Sequence, residues 1–324
     1  MTAPPTAPAS GPTAALPRPR ALRFGWIGVF YLGSGLPFGV FKELFPVWLR
    51  SAGVAVDTIG WLGGLASAWS LKVLWSPLVD RIGGRRPWIA GSLVGCAAAL
   101  TAVAFAGPNV SPLFIFVVGA FVVASATQDV AVDAWTIGIV EKDEEGPANS
   151  VRVVAYRVAM WVAGGLAVAL AAWLPWRAVL VLLSIMMLGL AVAALFAPAL
   201  PRPPSRTLRS LFAGLAAWLR EPGALPLAAV VLLYKMPDAA LGMMVRTFWV
   251  DAGLTVEFIG LWVSPLTLFA TIGGAAIGGL LVARVGILNG LLWLGLAQML
   301  SNVAYSLADW SGRAREIVVA AAGV

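Results

Sequence analysis

Nine ionisable side chains stand within stretches that are otherwise almost wholly apolar: Lys42, Glu43, Lys72, Asp129, Asp133, Arg157, Lys235, Asp238 and Arg246. An ionisable group surrounded by lipid costs about a few kcal/mol, so each needs a partner or a task. Asp129 and Asp133 are four residues apart, hence on one face of a helix. Two carboxylates so close repel when both are charged, and exclusion from water further favours a bound proton. A proton carrier requires such a group, able to load on one side and unload on the other. The chain has no histidine, which leaves carboxylates as the carriers. Arg157, on the next helix, opposes protonation by holding the pair ionised. The alternative is a permanent Asp–Arg clamp that never titrates. Glu43 is a further candidate of the same kind.

Lys72 either attracts an anionic solute or neutralises Glu43 or an aspartate of the fourth span. Lys42 joins it as a cavity candidate. Lys235 and Asp238, three residues apart, either pair locally or face a central cavity. Most of the 15 tryptophans fall near the ends of apolar runs, where aromatic belts belong. Trp69, Trp135 and Trp161 lie deeper and are candidates for solute contact.

The elements that hold these residues follow from composition. The 324 residues are 60% hydrophobic and 11% charged, against about 25% charged in soluble domains. Lipid is therefore the main solvent. Nine apolar segments, near 24–49, 57–78, 88–106, 112–140, 150–174, 178–197, 224–249, 257–282 and 287–308, approach the ~20 residues of a membrane helix. They are too long and continuous for barrel strands of about ten alternating residues. The fold class is all-α and polytopic. Residues 1–23 read as a disordered tail, 24–197 as a six-helix bundle, 198–222 as a linker rich in Pro and Arg, and 223–324 as an incomplete second bundle.

With the N-terminus inside, thirteen Lys and Arg fall in cytoplasmic segments and four in outer ones, the bias that sets orientation. The expected location is the inner membrane. The net charge of +7 needs no nucleic-acid partner, and the acidic run Glu141–Glu145 reads as a solvated loop. No phosphate loop, metal-ligand cluster or nucleophile–base pair occurs. An enzyme, a cofactor and a metal are thus not expected; a solute, protons and the bilayer are.

Two stretches repeat at a fixed offset of 200 residues: Gly53-Val-Ala-Val-Asp-Thr-Ile-Gly60 with Gly253-Leu-Thr-Val-Glu-Phe-Ile-Gly260, and Leu36-Pro37 with Met236-Pro237. Span one thus corresponds to span seven and span two to span eight, the parallel-repeat signature of the major facilitator architecture. Asp80-Arg81-Ile-Gly83-Gly84-Arg85-Arg86, between spans two and three, resembles that superfamily's cytoplasmic-loop motif. Gly83 and Gly84 allow a tight turn with positive φ, while Asp80 and the arginines suit a gate that breaks and reforms. A purely topological role for the arginines is the alternative.

A narrower resemblance lies in Gly35-Leu-Pro37, Leu71-Lys72-Val-Leu-Trp75, Ser125-Ala-Thr-Gln-Asp129-Val-Ala-Val-Asp133-Ala-Trp135, Tyr156-Arg157 and Tyr234-Lys235-Met-Pro-Asp238, occurring in that order. Together they resemble the peptide–acetyl-coenzyme A–drug transporter family, which includes the anhydro-muropeptide permeases. The resemblance implies proton-driven import of cell-wall sugar-peptide fragments by rocking of two halves, with a monomer expected for a complete chain. Phe41-Lys42-Glu43-Leu-Phe-Pro46 departs from the permeases, which carry uncharged polar residues there. Siderophore importers of the same broad group match the flanking residues about as well, so a siderophore or another bulky anion stays open as the solute. The family has twelve or more spans and this sequence carries nine. The expectation is that these 324 residues alone do not transport, and that the third after the linker is the less stable part.

Overall fold

Prolines and glycines set where helices start, widen and stop. The structure is a computed structural model that describes residues 19–200 and 242–310 with parts of 213–230. The first helix, α1 (Arg20–Ser51), passes through a π-helical turn at Val40–Leu44. Pro37 lies upstream of that turn and Pro46 downstream. Each lacks the amide hydrogen its helix would use, and a wider turn accommodates the loss. Because α1 begins at Arg20, Arg20 and Arg23 belong to this helix rather than to the tail assigned to 1–23.

The expected second span is not one regular helix. α2 (56–81) is interrupted by 3-10 turns at Gly64–Ala66 and Lys72–Leu74 and restarts at Ser76. Gly63-Gly64 and Pro77 supply the weak points. α3 (Arg85–Ala106) ends at Gly107, and α4 (Pro112–Ile139) is capped by Ser111, whose hydroxyl accepts from the Phe114 amide at 3.2 Å. α5 (Glu145–Leu170) carries a second π-turn at Val162–Leu166, and α6 (Trp176–Phe196) follows Pro175. After the region outside the described residues come α7 (Met244–Asp251), α8 (256–285), with a third π-turn at Ile259–Val263, and α9 (Ile287–Trp310).

Among the described residues six helices are long and apolar enough to cross a membrane. No strand occurs among them. Large apolar side chains such as Phe116, Phe196 and Leu288 point outward, as lipid-facing residues do. α3 packs between α4 and α6, α1 packs on α5 and α4, and α8 packs on α9. The linker at 198–222 lies largely outside the described residues.

Small residues let α1 and α5 approach closely. A Cβ at Gly35 would run into the Tyr156 carbonyl, and one at Gly39 would meet Met160 Cα and Ala163 Cβ at 2.9 Å. The adjacent glycine pairs tell two stories. Gly164-Gly165 sit in such a contact, whereas Gly273, Gly274 and Gly279 have nothing within 4 Å.

The 200-residue repeat recurs as structure. Gly53 (φ 84) and Gly253 (φ 77) both end a helix in the left-handed region that suits glycine. The Gly53 amide donates to Arg50 O at 2.9 Å and Val54 to Leu49 O at 3.0 Å; Gly253 donates to Val250 O at 3.0 Å and Leu254 to Trp249 O at 3.1 Å. Both are Schellman caps. Of the Gly83-Gly84 pair only Gly83 takes positive φ (75), because Gly84 opens α3 as an extended N-cap.

Candidate functional site

Two charge networks form, one inside the first half (α1–α6) and one between the halves. In the first, Lys72 Nζ lies 3.6 Å from Asp129 Oδ2 and 3.7 Å from Asp133 Oδ2. The open question over Lys72 thus resolves onto the fourth span. Asp133 Oδ1 also accepts from the Tyr31 hydroxyl at 2.7 Å and faces Arg152 Nη2 at 3.3 Å. The Arg152 guanidinium stacks 4.8 Å over the Tyr31 ring. Four elements, α1, α2, α4 and α5, meet here, two carboxylates against two cations.

Arg157 is not the partner of the aspartates. It follows Arg152 by five residues, about 140° around a helix, so the two arginines of α5 point to different faces. Arg152, near the start of the segment at 150–174, is the nearer cation. Its position one turn before Tyr156 was the available signal.

Arg157 belongs instead to the second network. It lines a small cavity of about 40 Å³, partly open to solvent, together with Glu43, Trp161, Arg246 and Ser264. Glu43 of α1 forms an ion pair with Arg246 of α7. Arg246 is almost fully buried, donates to Ser264 Oγ at 3.0 Å and stacks 4.4 Å from the Trp249 ring. Ser264 in turn donates to Gly164 O at 3.1 Å. The glycines are needed here, since a Cβ at Gly164 would collide with Glu43 and one at Gly260 with Ala169 and Gly165. The π-turn of α5 packs against those of α1 and α8 at this place. Glu43 stands within the π-turn of α1, the kind of bulge that often marks a functional site. Nearer the repeated caps a second cross-half pair joins Arg50 Nε to Asp251 Oδ1 at 2.5 Å. Contacts between the halves concentrate at this end.

The remaining candidates fall as follows. Lys42 is half-buried in the α1 π-turn. Trp69 packs on Phe38 (4.9 Å between ring centroids) and Phe41 (5.4 Å), within an aromatic cluster. Trp135 is corrected: it is fully buried, packed edge-on to Phe30 and donating to Pro198 O at 3.0 Å, so it offers no solute surface. Lys235 and Asp238 lie outside the described residues.

In the loop motif, Asp80 and Arg81 end α2, and the Asp80 side chain is outside the description. Arg86 donates to Ala197 O at 2.6 Å and Leu195 O at 3.1 Å, where the C-terminal carbonyls of α6 lack helical partners. The Arg85 guanidinium lies near Gly138 of α4. The acidic loop is solvated at Glu141, Asp143 and Glu145, and Glu144 is the exception. Glu144 is buried, with Arg23 Nη2 at 2.5 Å and Arg20 Nε at 3.5 Å, because a capping box with Glu141 turns it inward.

Comparison with known proteins gives concordant results. The family model described as Major Facilitator Superfamily matches residues 23–323. The Anhydromuropeptide permease of Escherichia coli (strain K12) is 30% identical over 292 residues, which are 85% of this chain and 58% of that protein. The chain therefore spans little more than half the length of that relative. An uncharacterized protein of Haemophilus influenzae is 31% identical, over 83% of this chain and 66% of its own length. Among solved structures, a bacterial homologue of the human lysosomal transporter Spinster, inward-facing and unoccupied, superposes with a TM-score of 0.67 at 16% identity over 94% of this chain and 73% of that one. The nucleoside transporter NupG gives 0.63 at 13% identity, over 93% and 78%.

Proposed function

The chain belongs to the major facilitator superfamily, and on that premise we propose that it is a secondary active transporter that imports bulky cell-wall sugar-peptides, anhydro-muropeptides, with protons. It is a multi-pass membrane protein whose relatives are permeases and transporters, not enzymes. The observation that carries the coupling is the Lys72–Asp129–Asp133–Arg152 network. Lys72 lies between both carboxylates, so Asp129 can take a proton while Lys72 keeps Asp133 as its counter-charge. Loss of that charge weakens the hold of α4 on α2 and α5. The name of the Escherichia coli relative supports the solute, and the basic bias of the sequence supports a cytoplasmic N-terminus.

Uptake of labelled anhydro-muropeptide into vesicles holding the full relevant chain, driven by an inward proton gradient, tests this reading. Accumulation that collapses with the gradient is expected. Uptake indifferent to the gradient removes the coupling, and uptake of a siderophore in its place removes the solute. Orientation is checked separately. A cysteine at Ser205 in a Cys96→Ser background should resist impermeant thiol reagents added outside intact cells, and ready labelling reverses the topology.

A further inference from the structure

The cavity between the halves holds a charge imbalance. Its charged lining is Glu43, Arg157 and Arg246, and Glu43 and Arg246 neutralise each other. Arg157 is left over. Its guanidinium reaches Met160 Sδ at 3.9 Å and pairs with no carboxylate among the described residues. A half-buried guanidinium without a counter-charge is an expensive group, and an arriving anion relieves it.

The other polar atoms of the wall narrow the class of ligand. Arg157 and Trp161 are four residues apart on α5, so they share a face. The Trp161 Nε1–H is buried and has no hydrogen-bond partner among the described residues. Thr267 and Thr271, on the opposite wall, donate their hydroxyl hydrogens to Val263 O at 2.9 Å and Thr267 O at 2.7 Å of their own helix. The unused donors therefore all come from α5. Gly164 and Gly165, one turn beyond Trp161, let Glu43 and the Trp161 indole pack close at the edge of the cavity, since a Cβ at Gly165 would meet Trp161 Nε1 at 2.8 Å. A patch of donors with a positive charge fits a group that only accepts, and a planar guanidinium binds a carboxylate in two-point fashion.

We propose that Arg157 and Trp161 form the receptor for a carboxylate of the transported solute, with Arg157 setting selectivity for anionic over neutral forms. This deepens the transport reading above and rests on it. The space takes a carboxylate group and no more, so the rest of the solute lies outside it. Sequence alone gave Arg157 to the aspartates, and only the face it occupies on α5 redirects it.

Binding to the purified full chain tests the proposal with two probe pairs: a muramyl peptide bearing free carboxylates with its fully amidated form, and citrate with its trimethyl ester. The free acid of the muramyl pair should bind at least about tenfold tighter than the amide, as expected for a charge-assisted two-point contact. Arg157→Gln should remove that preference by weakening the acid and leaving the amide unchanged. Arg157→Lys should restore part of it, and Trp161→Phe should cost the acid about threefold while keeping the ring. Equal binding of acid and amide by the parent chain, or a preference that survives Arg157→Gln, overturns the carboxylate receptor while leaving sugar-peptide binding intact. If only citrate binds, and does so through Arg157, the receptor stands and the sugar-peptide reading falls. If neither acid binds, both fall.

Discussion

The two charge networks differ in what must move when they change. Lys72, Asp129, Asp133, Arg152 and Tyr31 all belong to α1–α6, and the two cations and Asp133 keep partial exposure. Glu43–Arg246 and Arg50–Asp251 each join one half of the molecule to the other, and Arg246 is buried. The first network can gain or lose a proton while the halves stay in place. The second cannot survive separation of the halves at the capped end. One therefore suits coupling and the other suits a gate, although both are built from the same few residue types.

The largest effect is expected in the inter-half pair. Arg246→Met leaves Glu43 without its cation and should cost about 3–5 kcal/mol of stability, as loss of one partner of a buried pair does. Thermal unfolding in detergent measures it, and adding Glu43→Gln should recover much of the loss. Failure of the second change to recover anything would make Glu43 a bystander. An intermediate effect is expected in the coupling network. Asp129→Asn should lower gradient-driven accumulation by about tenfold or more, the scale of a lost proton-transfer group, while the protein stays folded. Normal accumulation by both Asp129→Asn and Asp133→Asn would move the proton elsewhere, with Glu43 next in line. The smaller of the two effects on stability belongs to the more exposed pair. Arg50→Ala should cost about 1.5–3 kcal/mol, the scale of a part-buried hydrogen bond between charged groups. A loss as large as that of Arg246→Met would erase the distinction between the two cross-half pairs.

How much of this was legible in the sequence differs between the two networks as well. Asp129 and Asp133 declare themselves by a four-residue spacing in an apolar helix, and the repeated Gly53 and Gly253 declare two equivalent caps. Tyr31 and Arg152 do not, because Tyr31 lies 102 residues from Asp133 and Arg152 stands at the very start of the segment at 150–174. Glu43 and Arg246 were each visible as a charge within lipid, yet their pairing depends on α1 meeting α7. The three π-turns near these side chains have no pattern of their own, beyond Pro46 and Pro265 standing just after two of them. Trp135 read as deep, yet it stands one turn from the end of α4 and is buried by its packing on Phe30. Position in the sequence alone did not say whether it faced a cavity or Phe30.

The division between a coupling network and a gate is tested most directly by the distance across the capped end. Spin labels at Ala52 and Ala252, in a Cys96→Ser background, report on the two repeated loops by pulsed dipolar spectroscopy in reconstituted vesicles. Glu43→Gln should lengthen and broaden the distance distribution, while Asp129→Asn should leave it as in the parent. An unchanged distribution in Glu43→Gln together with an opened one in Asp129→Asn would contradict the division.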